Sequence, residues 1–114
     1  MKDANNELIH GTLDLLILKV LATGKMHGWD ISKRIMVVSK DRLLIKQGSL
    51  YPAVHRLEQK RLIEADWGVS ELGRRAKFYR LTKKGRKQLE AETSRWTAFV
   101  ESIGLVLGME ESEG

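Results

Sequence analysis

Between Gln47 and Gly68 the sequence reads QGSLYPAVHRLEQKRLIEADWG, a helix that starts abruptly and runs with almost no connection into an alternating stretch. Leu50, Val54 and Leu57 recur at helical spacing and must face a core, which turns Ser49, Pro52, His55, Arg56 and Gln59 outward. Pro52 is tolerated in the first turn, where its missing N–H has no partner to lose. The helix is therefore expected over residues 49–60, with Ser49 and Tyr51 both open as its N-cap. Beyond it, Ile63, Ala65 and Trp67 alternate with Glu64 and Asp66, a turn-rich GVSELG follows, and RRAKFYRL returns as a second strand. The result is a basic β-hairpin with a loop of about six residues.

The flanking segments complete the pattern. Over residues 8–23 apolar side chains are too dense for one stripe, so this helix is buried on two sides and ends near Gly24. His27 caps or closes the turn before a second helix over residues 29–39, where Ile31, Ile35 and Val38 form one face and Lys33 and Arg34 lie outside. RLLIK at 42–46 is short and bounded by charge, and reads as a strand. Thr82 caps a last helix, with Gly85 where a capping box has Glu. Along that helix Leu89, Thr93, Trp96, Val100, Ile103 and Leu107 step by 4, 3, 4, 3 and 4, a heptad seam.

Charge is unevenly spread over the 114 residues. Residues 41–87 carry 13 basic and 5 acidic side chains, whereas residues 88–114 carry 1 and 6. A basic middle implies an anionic partner. The absence of cysteine removes disulfide and thiolate chemistry and fits a reducing compartment. The apolar run LDLLILKVLA is interrupted by Asp14 and Lys19 and falls short of the roughly 20 residues of a span, so the chain is expected to be soluble, cytoplasmic and without a membrane partner. His10, His27 and His55 lie on separate elements with no ligand spacing, and neither Asp14 nor Asp30 has a paired carboxylate. TGKMHG lacks the glycine and hydroxyl spacing of a P-loop. No enzyme activity, metal or cofactor is expected.

The order helix, helix, strand, helix, strand, strand, with an abrupt third helix and a basic hairpin, is that of a winged helix-turn-helix: mainly α with a small antiparallel β wing, an α+β fold. GTLDLLILKVLATGKMHGWDISKRI, QGSLYPAVHRLEQKRLIEADWG and RRAKFYRLTKKGRKQL, in this order, resemble the PadR family of bacterial transcriptional regulators over residues 8–107. Trp29 stands where that family commonly has tyrosine after His-Gly. The resemblance implies a dimeric DNA-binding protein, usually a repressor, of the shorter type with a single C-terminal helix. Residues 1–81 would be the DNA-binding domain, 82–108 a dimerisation helix packed on it, and 109–114 a disordered acidic tail.

Residue roles follow as expectations. Arg56 and Gln59 are candidates to read bases, Gln47 and Ser49 to hold phosphate, with Tyr51, Pro52 and His55 beside them. Lys33 and Arg34 would touch the backbone from the preceding helix, and Arg74, Arg75 and Lys77 from the wing; the competing reading is charge that guards an edge strand. Leu13 and Leu16 on the first helix, with Leu89, Thr93, Trp96, Val100, Ile103 and Leu107 on the last, are expected to pair two protomers. In shorter family members the resemblance also implies an aromatic-lined space between subunits for flat hydrophobic compounds, with Trp96 at the matching tryptophan, so a small aromatic effector joins double-stranded DNA and a second copy of the chain as expected partners. The rival function is a ligand- or protein-binding dimer with weak or lost DNA binding.

Overall fold

The computed structural model describes residues 12–109. Helix α1 (Leu13–Leu21) is followed by a two-residue strand β1 (Met26–His27), helices α2 (Gly28–Val38) and α3 (Gln47–Gln59), the hairpin β2 (Ile63–Val69) and β3 (Arg75–Leu81), and the long helix α4 (Lys83–Leu107). The sheet is antiparallel in the order β1-β3-β2, with Met26 opposite Tyr79 and Ile63 opposite Leu81. This is the expected winged-helix α+β architecture.

One core explains why these segments adopt these shapes. Ile17 and Leu18 of α1 meet Ile31 and Ile35 of α2, Leu50, Val54 and Leu57 of α3, and Ile63 and Tyr79 of the sheet. Helices α2 and α3 offer apolar groups three or four residues apart, so a single stripe of each reaches the common centre, whereas α1 buries Leu13, Ile17, Leu18, Val20 and Leu21, more than one stripe holds. Burial holds the Tyr79 phenol above its ordinary value, with Lys77 opposing that shift.

The sheet departs from the sequence reading. Residues 42–46 form no strand, although Leu43 and Ile45 still pack inward against the core and Leu44 stays exposed. Lys40 and Asp41 enter the left-handed region before this segment, and it then leads directly into α3 without pairing to a strand of the sheet. The strand that does pair is Met26–His27, which occupies the free edge of β3. A two-residue strand has no periodicity to detect, whereas RLLIK has the composition of a strand and no neighbour.

The start of α3 also differs. Its N-cap is Lys46, in extended conformation and without a side-chain cap bond, so neither Ser49 nor Tyr51 has that place. Pro52 consequently lies beyond the first turn, where it removes the bond to the Gly48 carbonyl. Gly48 is exposed, so solvent is able to satisfy its carbonyl.

Helix α3 ends with Arg61 at φ 61°, while the Leu62 N–H bonds the Leu57 carbonyl (3.0 Å) and the Arg61 N–H that of Glu58 (3.0 Å). This is a glycine-type C-terminus made with arginine, whose Cβ crowds the following carbonyl. Arg61→Gly is expected to raise stability by about 1 kcal/mol in urea unfolding, because the bonded atoms are all backbone. An unchanged or lower midpoint would refute that account.

Candidate nucleic-acid interface

Packing of Leu50, Ala53, Val54 and Leu57 sets the rotation of α3 about its axis. Gly48, Pro52, His55 and Gln59 fall on the side opposite this stripe, all exposed, and form its outer ridge. Tyr51 and Glu58 flank the ridge toward the hairpin. Arg56 and Lys60 flank it toward α1 and α4, and line a cleft of about 440 Å³ with Asp14, Leu15, Glu92, Trp96 and Phe99.

That rotation separates Arg56 from the base-reading set expected from the sequence. Its Nη2 donates to Asp14 Oδ1 at 2.9 Å, which ties α3 to α1. Gln47 is likewise engaged: its Nε2 donates to Ser32 Oγ at 3.2 Å, whose hydroxyl donates to the Trp29 carbonyl at 3.0 Å. The amide joins the two helices of the helix-turn-helix. Ser49 is half-buried.

On the other flank an open groove of about 890 Å³ runs between the helix-turn-helix and the wing, lined by Lys33 of α2, Tyr51 of α3 and Lys77 of β3. The structure thus brings together side chains from all three elements named in the sequence reading. Within the wing the three cations differ. Arg75 lies over the Trp67 ring at 4.3 Å from its centroid, and Lys77 sits 3.5 Å from Glu58 and over the Tyr79 ring. Arg74 is exposed at the tip, where Gly73 takes a left-handed φ of 76° and the Ser70 N–H donates to the Arg74 carbonyl. Of the cations expected to contact DNA, Lys33, Arg34, Arg74 and Arg75 have no ion-pair partner among the described residues, and of these Arg75 is held over Trp67, which leaves Lys33, Arg34 and Arg74 free to meet an anion.

Sequence reasoning missed Lys25, which shares a shallow surface with Lys33 and Arg34. Its proximity arises from the β1–β3 pairing, which no local signal announced. His27 is the N-cap residue of α2, but its side chain makes no cap bond; Nε2 lies 3.2 Å from Asp30 Oδ2 and the ring stands edge-on to Phe78. His10 lies outside the described residues.

The heptad seam divides in two. Leu13 and Leu89 are buried inside the protomer at 2% and 8% exposure, so neither is available to a partner, and Leu16 is half-buried. From Thr93 onward the stripe is uncovered, with Trp96, Val100, Ile103 and Leu107 exposed together with Phe99, whose ring centroid is 5.8 Å from that of Trp96. A glycine C-cap, Gly108 at φ 77°, closes α4. No helix among the described residues is long and apolar enough to cross a membrane.

Comparison with known proteins agrees with this fold. Residues 17–91 match the family described as "Transcriptional regulator PadR-like family". A protein of Lysinibacillus sphaericus is 33% identical over 102 residues, spanning 90% of this chain and 94% of its own length. Among solved structures, a transcriptional regulator from Clostridium thermocellum is 32% identical with a TM-score of 0.78, the match covering 86% of this chain and 95% of the other. A PadR-like transcriptional regulator from Bacillus cereus is 27% identical with a TM-score of 0.78, covering 91% and 99%.

Proposed function

Since the chain belongs to the PadR-like family of transcriptional regulators, we propose that it acts as a homodimeric repressor that binds an inverted-repeat operator. The carrying observation is the groove that unites Lys33, Tyr51 and Lys77 beside the exposed ridge of α3. An exposed helix ridge can enter a major groove, and flanking cations would then meet the phosphates. Two such ridges, related by a twofold axis through paired α4 helices, would read half-sites about 10 bp apart or a multiple of that spacing.

His55 and Gln59 supply base-edge hydrogen bonds in this reading, Pro52 supplies apolar contact, and Lys33, Arg34 and Arg74 neutralise phosphates. Arg56 acts within the protomer. Repression would be relieved by a small aromatic compound taken up beside Trp96 and Phe99. Arg56 and Lys60 of α3 line the same cleft, so a bound compound touches the recognition helix directly.

The test is fluorescence anisotropy with a labelled duplex selected by the wild-type protein from a randomised library. His55→Ala with Gln59→Ala is expected to weaken binding about tenfold or more and relax preference at the contacted bases. Arg74→Ala should weaken all sequences alike and lower the log–log salt slope by about 1.8, that is about 0.9 for the phosphate lost in each subunit. Arg56→Ala should change affinity by less than about twofold, the scale of an exposed ion pair. Equal losses for Arg56→Ala and for the His55, Gln59 pair would overturn the assigned orientation; binding indifferent to duplex sequence would favour a ligand- or protein-binding dimer.

A further inference from the structure

The His-Gly dipeptide that opens α2 has no part in the contacts proposed above, yet its geometry is specific. Gly24, Gly73 and Gly108 have positive φ, a backbone reason for glycine, and Gly28 does not. The reason at Gly28 is space. A Cβ there would lie 2.6 Å from the Tyr51 hydroxyl, 2.7 Å from Cε1 and 2.9 Å from Cζ, all closer than carbon atoms approach in a folded chain. The phenol end of Tyr51 therefore rests in the notch left by the missing side chain, on the first residue of α2.

The residue beside that notch is anchored independently. His27 pairs with Phe78 in the β1–β3 ladder and its ring packs edge-on against the Phe78 ring at 5.7 Å between centroids. Adjacent residues thus fix the wing on one side and the recognition helix on the other. Tyr51 is 37% exposed and faces the groove with Lys33 and Lys77. Its ring is held from below while its edge remains open to a ligand in that groove.

We infer that Gly28 is a positioning residue: it seats the Tyr51 ring so that the hydroxyl is presented to a DNA phosphate between α2 and the wing. The inference rests on the reading of this groove as a DNA-backbone site. A pre-set ring loses less rotamer freedom on binding, so the seat acts on affinity through Tyr51 alone. Alanine suits the first turn of a helix better than glycine and the ring end is able to swing outward, so Gly28→Ala leaves the fold in place.

Two measurements on the full chain test the two halves. The chain has two tyrosines, so ring ¹³C–¹H signals of tyrosine-labelled protein are assigned with Tyr51→Phe, and Gly28→Ala is expected to shift those of Tyr51. Unmoved Tyr51 signals would overturn the seat whatever happens to DNA binding. Anisotropy with the library-selected duplex then compares wild type, Gly28→Ala, Tyr51→Ala and the double variant. Each single variant is expected to bind about tenfold more weakly, and the double variant no more than about twofold worse than Tyr51→Ala. Full additivity would mean that Gly28 acts other than through Tyr51 and would overturn the proposal. Unchanged affinity in Tyr51→Ala, with the ring signals moved in Gly28→Ala, would sink the DNA role while leaving the seat itself standing.

Discussion

Val100→Asp is expected to convert the proposed dimer to monomer by sedimentation equilibrium, and to reduce affinity for the selected operator by about 100-fold. Val100 lies near the centre of the uncovered stripe of α4, between Trp96 and Ile103, and is 48% exposed in the protomer. Its replacement costs the protomer little, so the far-UV circular dichroism should be unchanged. In a paired seam the same carboxylate is forced into an apolar contact without a partner, at a cost of several kcal/mol. Loss of pairing then costs affinity twice over on DNA, because the second half-site is no longer held at high effective concentration. A dimer of unchanged mass would show that α4 does not form the interface.

Gly85→Ala is expected to lower stability by about 3 kcal/mol and the thermal midpoint by on the order of 10 °C. A Cβ at this position would sit 2.0 Å from the Leu62 carbonyl oxygen and 2.8 Å from Leu81 Cδ1. The first of these is backbone, pinned by hydrogen bonds from the Thr82 N–H (3.1 Å) and the Thr82 hydroxyl (3.0 Å), so it has no rotamer in which to retreat. The start of α4 must instead lift off the α3–β2 turn. Thr82 Oγ1 accepts from the Gly85 N–H at 2.9 Å, and Thr82→Ala, which loses this cap and the hydroxyl's bond to Leu62, should cost about 1–2 kcal/mol. If Gly85→Ala were as mild as Thr82→Ala, the close approach would not be present in solution.

The glycine that leaves the capping box incomplete in the sequence is thus explained by a carbonyl from a residue 23 positions earlier. Such contacts between distant segments mark the limit of reading from sequence. The apolar spacing of Leu50, Val54 and Leu57 sufficed to turn His55 and Gln59 outward, because a helical stripe defines its own opposite face. Arg56, one residue along, lies on the flank of that face. Only the position of Asp14 on α1 decides that its guanidinium turns inward toward a neighbouring helix. Lys77 belongs to the same basic run as Arg74, yet Glu58 and Tyr79 hold it back against α3.

The helix-turn-helix, the hairpin wing, the long last helix and the concentration of positive charge between residues 41 and 87 are all legible along the chain. These follow from period and composition, which are local properties of the chain. Tertiary structure decided which short segment joined the wing as its third strand, which half of the heptad seam was consumed inside the protomer, and which cations remained free. Each of those outcomes depends on a partner far away in sequence. A strand needs an unpaired edge, a stripe is spent on the first surface that covers it, and a cation is neutralised by the carboxylate the fold sets beside it.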